Sequence, residues 1–284
     1  MAVGLDRRAA NGVACVGDNC VDVAVERPEE ELAGGNALNV AVELARAGRR
    51  CSYFGMVGDD ARATVILDAA RAAGVDVGEV RRAPGPTGVT VVARDAGGER
   101  SFVSQDYGVS ADHRLDGQVV QRIAAHSWAH FARQPDLPAW APTLRAEGVR
   151  ISCDLGVESG PGALQAVGPH LDIAFLSTSA APGRTAQELV DEALAAGAAL
   201  AVVTRGARGS VAGAGTRRWR GDAVAVERVV DTLGAGDAFI AAFISAMLDG
   251  GEVDAALRGA AIAGAAACRR RGLAHPLSVE EVSA

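Results

Sequence analysis

The sequence predicts an α/β protein: a doubly wound, largely parallel sheet with helices on both sides and a small β-sheet lid. Three observations carry that prediction. Apolar strand-like runs alternate with helical patterns along almost the whole chain, two stretches break the alternation with strand signals alone, and glycine-rich turns open directly into helices. The first strand is Val13–Val16, a continuous apolar run of the kind that is buried on both faces. Segment 20–26 then reads as strand without a helix. Ala37–Ala47 has the 3.6-residue period, with Ala37, Val40, Ala41 and Leu44 on one face. Strand Cys51–Val57, helix Ala61–Ala73 and a second helix-free strand region, Val89–Gln105, follow; the last contains a hairpin turn at Asp95-Ala96-Gly97-Gly98.

From there the alternation resumes. Helices are expected at Leu115–Ala125, Ala139–Ala146 and Thr185–Ala196, and strands at Ser127–Ala132, Val149–Asp154, Leu171–Leu176 and Ala199–Thr204. Two alanine-rich helices, Gly236–Leu248 and Val253–Arg271, close the pattern. Neither an internal repeat nor a linker long enough to divide the chain is present, so one domain over 13–275 is expected, with a lid from about 20–32 and 88–105.

Composition narrows the function. The 284 residues are 49% hydrophobic and 22% charged, a globular balance, and the net charge of −7 disfavours nucleic acid and anionic membranes as partners. All 28 basic residues are arginine. Without lysine there is no Schiff-base chemistry, no pyridoxal-phosphate chemistry and no G-x-x-x-x-G-K-[ST] phosphate loop. Any bound phosphate must therefore be held by backbone amides, arginine or metal. The start of the chain has no apolar targeting region and the five cysteines form no C-x-x-C pair, so a cytoplasmic protein with small core cysteines is expected. His126 and His130 have metal-like i, i+4 spacing only on a helix, and AHSWAHFA reads as a strand.

Three segments carry chemistry. In Val229-Val230-Asp231-Thr232-Leu233-Gly234-Ala235-Gly236-Asp237 an apolar strand is expected to run through a small-residue turn into a helix. The first amides of a helix lack internal partners and share the positive end of its dipole, which makes a phosphate cradle that needs no lysine. Asp237, beside such a phosphate, is placed to take a proton from an attacking hydroxyl, although aspartate is also favoured as an ordinary cap. In Ala33-Gly34-Gly35-Asn36-Ala37-Leu38-Asn39 a diglycine precedes a helix whose Asn36 and Asn39 share a face, suited to sugar hydroxyls. Thr204-Arg205-Gly206-Ala207-Arg208-Gly209 ends a strand and offers Thr204 and nearby amides to a nucleotide.

Together these segments resemble the ribokinase-like (PfkB-type) carbohydrate kinases over roughly residues 13–275. Asp231-Thr232-x-Gly234-Ala235-Gly236-Asp237 matches the family's D-T-x-G-A-G-D signature, Gly34-Gly35-x-x-x-Asn39-x-Ala41 its N-terminal diglycine signature, and Thr204-x-Gly206-x-x-Gly209 its T-x-G-x-x-G turn. The resemblance implies a kinase that passes the γ-phosphoryl of ATP to a sugar hydroxyl. Asp237 would be the base, and the amides of Gly234, Ala235 and Gly236 the anion hole. Thr204, Arg205, Gly206 and Gly209 would face the nucleotide, and Mg²⁺ would arrive with it. A K⁺ ion is implied more weakly, through backbone near Asp231. Asp22 matches a sugar-binding aspartate, and Gly17-Asp18-Asn19-Cys20-Val21-Asp22 with the diglycine segment is similar to the fructoselysine 6-kinase branch. Asp18, Asn19, Asp22, Gly34, Gly35, Asn36, Asn39 and lid Arg100 are the expected substrate residues. Ribose, fructose or 2-keto-3-deoxygluconate as acceptor, or a non-catalytic sugar- or nucleotide-binding regulator, are the alternatives. A homodimer through the lid is a further implication.

Two departures stand out. Where relatives carry N-x-x-E after the strand at 171–176, this chain has Ser177-Thr178-Ser179-Ala180, and its Gly58-Asp59-Asp60 is followed by Ala63 in place of a glycine. A dinucleotide oxidoreductase is disfavoured because no G-x-G-x-x-G follows the first strand.

Overall fold

The computed structural model describes residues 12–94, 100–156 and 162–272. Its elements run β1 (Val13–Gly17), β2 (Cys20–Ala24), β3 (Arg27–Gly34), α1 (Asn36–Arg46), β4 (Cys51–Phe54), β5 (Met56–Val57), α2 (Arg62–Ala72), β6 (Arg81–Arg82), β7 (Thr87–Arg94) and β8 (Arg100–Gly108). The second half continues with α3 (Gly117–Ile123), β9 (Trp128–Ala132), α4 (Leu137–Ala146), β10 (Arg150–Asp154), α5 (Ala163–Val167), β11 (Ile173–Ser177), α6 (Ala186–Ala195), β12 (Leu200–Thr204), β13 (Ser210–Ala214), β14 (Arg217–Gly221), α7 (Ala235–Leu248) and α8 (Val253–Ala267).

The main sheet has eight strands in the order β14-β13-β12-β11-β10-β9-β1-β4. It is parallel from β12 to β4, and antiparallel only where the β12–β13–β14 meander closes one edge. One buried apolar cluster joins α1, α2, α7 and α8 to one face, with Phe239, Phe243 and Phe175 among its members. A second joins α3, α4, α5 and α6 to the other face through residues such as Ile123, Leu144, Val167 and Leu189. This is the doubly wound arrangement that the alternating pattern predicts, and it follows from strands such as Val13–Gly17 being apolar on both faces.

The lid is a separate four-stranded sheet, β3-β2-β7-β8. Its outer strand, Arg27–Gly34, carries no strand signal in sequence because polar and charged residues run through RPEEEL; it pairs with β2 around a two-residue turn. Asp60 fixes the lid to the main body. Its carboxylate accepts from the Thr87 amide at 3.0 Å, the Thr87 hydroxyl at 2.7 Å and the Ala63 amide at 3.2 Å. The incomplete G-D-D-x-x-G pattern therefore keeps its lid contact, and Ala63 is simply buried.

Several expectations change. Cys51–Val57 breaks at Gly55 into β4 and β5, where any side chain would strike the Tyr53 hydroxyl, 2.2 Å from an added Cβ. Val229 and Val230 are no strand: the amides of Val230 and Asp231 both donate to the Cys268 carbonyl at the end of α8, so they hang on a helix terminus instead of a ladder. The last helix stops at Ala267, before the arginine run. Arg100 opens β8, and its side chain, like the Asp95-Ala96-Gly97-Gly98 turn, lies outside the described residues.

Candidate active site

The carboxyl ends of parallel strands are where a doubly wound sheet collects ligands, and here β1 and β10 deliver carboxylates to that edge. Gly17 of β1 and Asp154 of β10 both pair with Ala132 of β9, so three strand ends lie side by side. Asp18 follows Gly17. Its two oxygens accept from the Asn36 amide at 3.1 Å and the Ala37 amide at 3.2 Å. Asp18 thus serves helix α1 as a cap from 18 residues upstream, because the local cap position, Gly35, has no side chain to offer. The close approach this needs explains the diglycine. At Gly35, with φ of 108°, an added Cβ would lie 2.4 Å from the Asn19 Cα, and at Gly34 it would lie 2.2 Å from Asp22 Oδ2.

Asn19 is fully buried and donates through Nδ2 to the Tyr53 hydroxyl at 3.0 Å and the Met56 carbonyl at 2.8 Å. From the facing helix, Asn39 Nδ2 donates to Asp237 Oδ2 at 2.7 Å. The Oδ1 atoms of Asn19 and Asn39 are buried with no hydrogen-bond partner among the described residues. Such orphaned acceptors are costly unless a ligand supplies donors, and hydroxyl groups are the natural ones. Asn36 stays at the partly exposed helix start and engages Asp18 through its backbone.

Asp237 sits in the first turn of α7, buried, with its carboxyl held well above the ordinary range mainly by desolvation; Asn39 opposes that shift, while Asp154 and Asp18 add to it. Asp154 is likewise buried, and desolvation pushes it up to about 6, with the Gly156 amide opposing and Asp18 reinforcing. Asp18 is raised for the same first reason. Three buried carboxylates that feel one another thus lie close together. Sequence reading did not single out Asp154. The available signal was a carboxylate ending a buried apolar strand, Arg150-Ile151-Ser152-Cys153-Asp154, at the ligand-binding edge of a parallel sheet.

The turn before α7 is fixed by Asp231, whose carboxylate accepts from the Leu233 amide at 2.9 Å and the Gly272 amide at 3.1 Å. Gly234 takes φ of 75°, and α7 opens at Ala235 with Gly236 and Asp237 in its first turn. The Ala235 amide donates to the Thr232 carbonyl at 3.3 Å. A Cβ on Gly236 would meet nothing within 4 Å, so open space lies beside this helix start. An anion fits there.

The turn after β12 is compact: the Arg205 amide donates to the Gly209 carbonyl at 2.8 Å, and a Cβ on Gly209 would lie 2.1 Å from the Gly221 carbonyl oxygen. The Thr204 hydroxyl donates to the Leu176 carbonyl at 3.4 Å, while Gly206 faces open space. A cavity of about 370 Å³ beside this turn is lined by Thr178, Arg184, Arg205 and Arg208. Arg205 Nε is buried without a partner, and burial followed by the neighbouring Arg220 and Arg208 lowers its pKa, an arrangement that favours an incoming anion. Among the described residues no group of three or more His, Cys, Asp or Glu side chains is arranged to hold a metal ion.

A doubly wound sheet with a lid, a small-residue turn at a helix start and a buried carboxylate in that helix's first turn suits a phosphotransferase acting on a hydroxyl. The pfkB family carbohydrate kinase model matches residues 13–280, and the chain belongs to that family. It is an ATP-dependent carbohydrate kinase. Among its relatives, the fructosamine kinase FrlD of Bacillus subtilis is 36% identical over 256 residues, 89% of each chain. Fructoselysine 6-kinase of Escherichia coli is 34% identical over 232 residues, covering 82% of this chain and 87% of the relative. Arabidopsis thaliana ribokinase complexed with ribose and ATP shares the fold with a TM-score of 0.81 at 24% identity, over 93% of this chain and 94% of that one.

Proposed function

We propose that the chain phosphorylates the 6-hydroxyl of a fructosamine, with fructoselysine or a related amino-acid conjugate of fructose as acceptor. The observation that carries this reading is the agreement, across more than four fifths of the chain, with relatives named for those substrates. The orphaned oxygens of Asn19 and Asn39 support a polyhydroxyl ligand beside Asp237.

In this reading Asp237 takes the hydroxyl proton at a carboxylate oxygen as the sugar oxygen attacks, and Asn39 orients that carboxylate. The amides of Gly234, Gly236 and Asp237 donate to the transferring phosphoryl, with Ala235 contributing less, and Thr204, Arg205, Gly206 and Gly209 hold the nucleotide. Mg²⁺, when bound with ATP, neutralises charge on the phosphates; this chain lacks the N-x-x-E glutamate, so the phosphates themselves and water would be its ligands. K⁺ would sit at backbone carbonyls near Asp231. Asp18, Asp22 and the Gly34-Gly35 backbone shape the acceptor side. A dimer through the lid is supported by the exposed apolar side chains Val25 and Val103.

The test is ATP consumption across fructosamines, ribose, fructose and 2-keto-3-deoxygluconate, with and without K⁺. Fructosamines are expected to give the highest kcat/KM; a plain sugar turned over faster than every fructosamine would overturn the reading. A second measurement concerns the cradle. Gly236→Ala is expected to fold with stability unchanged or raised by up to about 1 kcal/mol, because its methyl meets no protein atom. The same methyl enters the phosphate space, and KM for ATP is expected to rise roughly tenfold. An unchanged KM would remove the phosphate from this position.

A further inference from the structure

Between the two acidic strand ends stands an arginine with no assigned task. Arg133 follows Ala132, the residue in register with both Gly17 and Asp154, so it occupies the strand end between Asp18 and Asp154. Among the described residues it is the one non-glycine with positive φ, at 50°. Long side chains enter that region only when the surroundings dictate it, and such residues cluster at ligand sites. Here the following loop dictates it. Gln134 is buried and bonded to His113 at 3.1 Å and to Asp136, and Asp136 in turn accepts from the Leu115 amide at 2.8 Å.

The side chain turns toward the lid. Its guanidinium lies 3.3 Å over the ring of Tyr107 in β8. The lid comes down to the same place: a Cβ on Gly88 would lie 2.9 Å from the Tyr107 carbonyl oxygen and 3.0 Å from that of Asn19. Arg133 Nε is buried without a partner. No carboxylate among the described residues forms an ion pair with it; Asp18, whose carboxyl it influences, already gives both oxygens to α1. A stacked, partly desolvated guanidinium lacking a counter-anion, at the junction of lid and sheet edge, is poised for a planar anion.

We propose that Arg133 is a specificity-determining residue that takes the carboxylate of the amino-acid part of the acceptor. This rests on the fructosamine reading. In such an acceptor the hydroxyl at C6 and the amine at C1 stand at opposite ends of the sugar, so with C6 at Asp237 the amino-acid part extends away from α7. Tyr107 backs the guanidinium plane and leaves its edge for two parallel N–H···O bonds. The phosphoryl-transfer cradle at 234–237 is not involved.

The experiment uses matched acceptors with the purified enzyme: fructose–glycine against fructose–methylamine, and ε-linked fructose–lysine against fructose–diaminopentane. Each pair differs by one carboxylate. In at least one pair the wild type is expected to prefer the carboxylate member by about 30-fold in kcat/KM, mostly through KM. In Arg133→Met that ratio is expected to fall to within about threefold of unity, with partial recovery in Arg133→Lys, which keeps the charge and loses the fork. Arg133→Gly, which adopts φ of 50° without strain, is the second variant should the Met protein not fold, and is expected to lose the preference equally. A latch that only joined lid to sheet would lower both members together and keep their ratio; that result, or a wild-type ratio near unity in both pairs, overturns the proposal. If ribose or fructose is phosphorylated and no fructosamine is, the substrate reading itself has failed, and the plain-sugar rate reveals which.

Discussion

Asp237→Asn is expected to reduce kcat by about 10²–10⁴-fold, the range for loss of a general base, while leaving the fold intact. The substitution keeps shape and one acceptor oxygen for Asn39, whose Nδ2 now donates to Asp237 Oδ2 at 2.7 Å. It removes the group that receives the hydroxyl proton. Because desolvation holds the Asp237 carboxyl well above its ordinary range, the amide also relieves the folded state of a buried acid, and thermal stability near neutrality should not fall. A second readout is the acid limb of kcat/KM, which reports the free enzyme. That limb should lie above the ordinary carboxylate range and vanish from the residual activity of the variant. Turnover at the wild-type rate by the purified variant would move the base elsewhere.

Much of this site was legible in the sequence because its chemistry depends on backbone, and backbone demands leave local marks. Gly234 and the diglycine at 34–35 are written as small residues at helix starts, and the structure shows the reason in positive φ or in contacts closer than a Cβ allows. The parallel strands were equally plain, since Val13–Gly17 and Leu200–Thr204 are buried along almost their whole length and need no partner-specific pattern. What escaped depends on distant neighbours. Asp18 looks like a turn residue, and only the folded chain brings it to the amides of Asn36 and Ala37. Asp154 and Arg133 are single residues at strand ends, and their significance comes from lying on neighbouring strands far apart in sequence. β3 hid for a different reason: as the outer strand of the lid it is exposed along its first half, so charge replaces the apolar alternation.

Asp154→Asn is expected to make the ligand-free protein more stable at pH 7 by about 3 kcal/mol, an unusual direction for a change in a buried site. Burial raises the Asp154 carboxyl from 3.8 to about 6, so the folded state holds this proton more tightly than the unfolded chain. A group of that kind contributes stability in full below its unfolded pKa and loses it as pH rises through the folded value. Each tenfold difference in proton affinity between the two states is worth about 1.4 kcal/mol, so about 3 kcal/mol is lost between roughly pH 4 and pH 6. The amide has no proton to lose there, and its carbonyl can still accept from the Gly156 amide, now 2.9 Å from Asp154 Oδ1. Denaturant melts of both proteins from roughly pH 4 to pH 8 should therefore diverge as pH rises; parallel curves, or a variant weaker at neutral pH, would show that Asp154 is not buried as a strained acid. Asp18 and Asp237 are shifted in the same sense, so the wild type keeps a downward slope even without Asp154. A folded chain that carries three such acids close together is less stable than it need be, and the compensation lies in the ligand they meet. A cationic ligand favours the ionised forms, so a loaded enzyme should recover at neutral pH the stability that the free enzyme lacks.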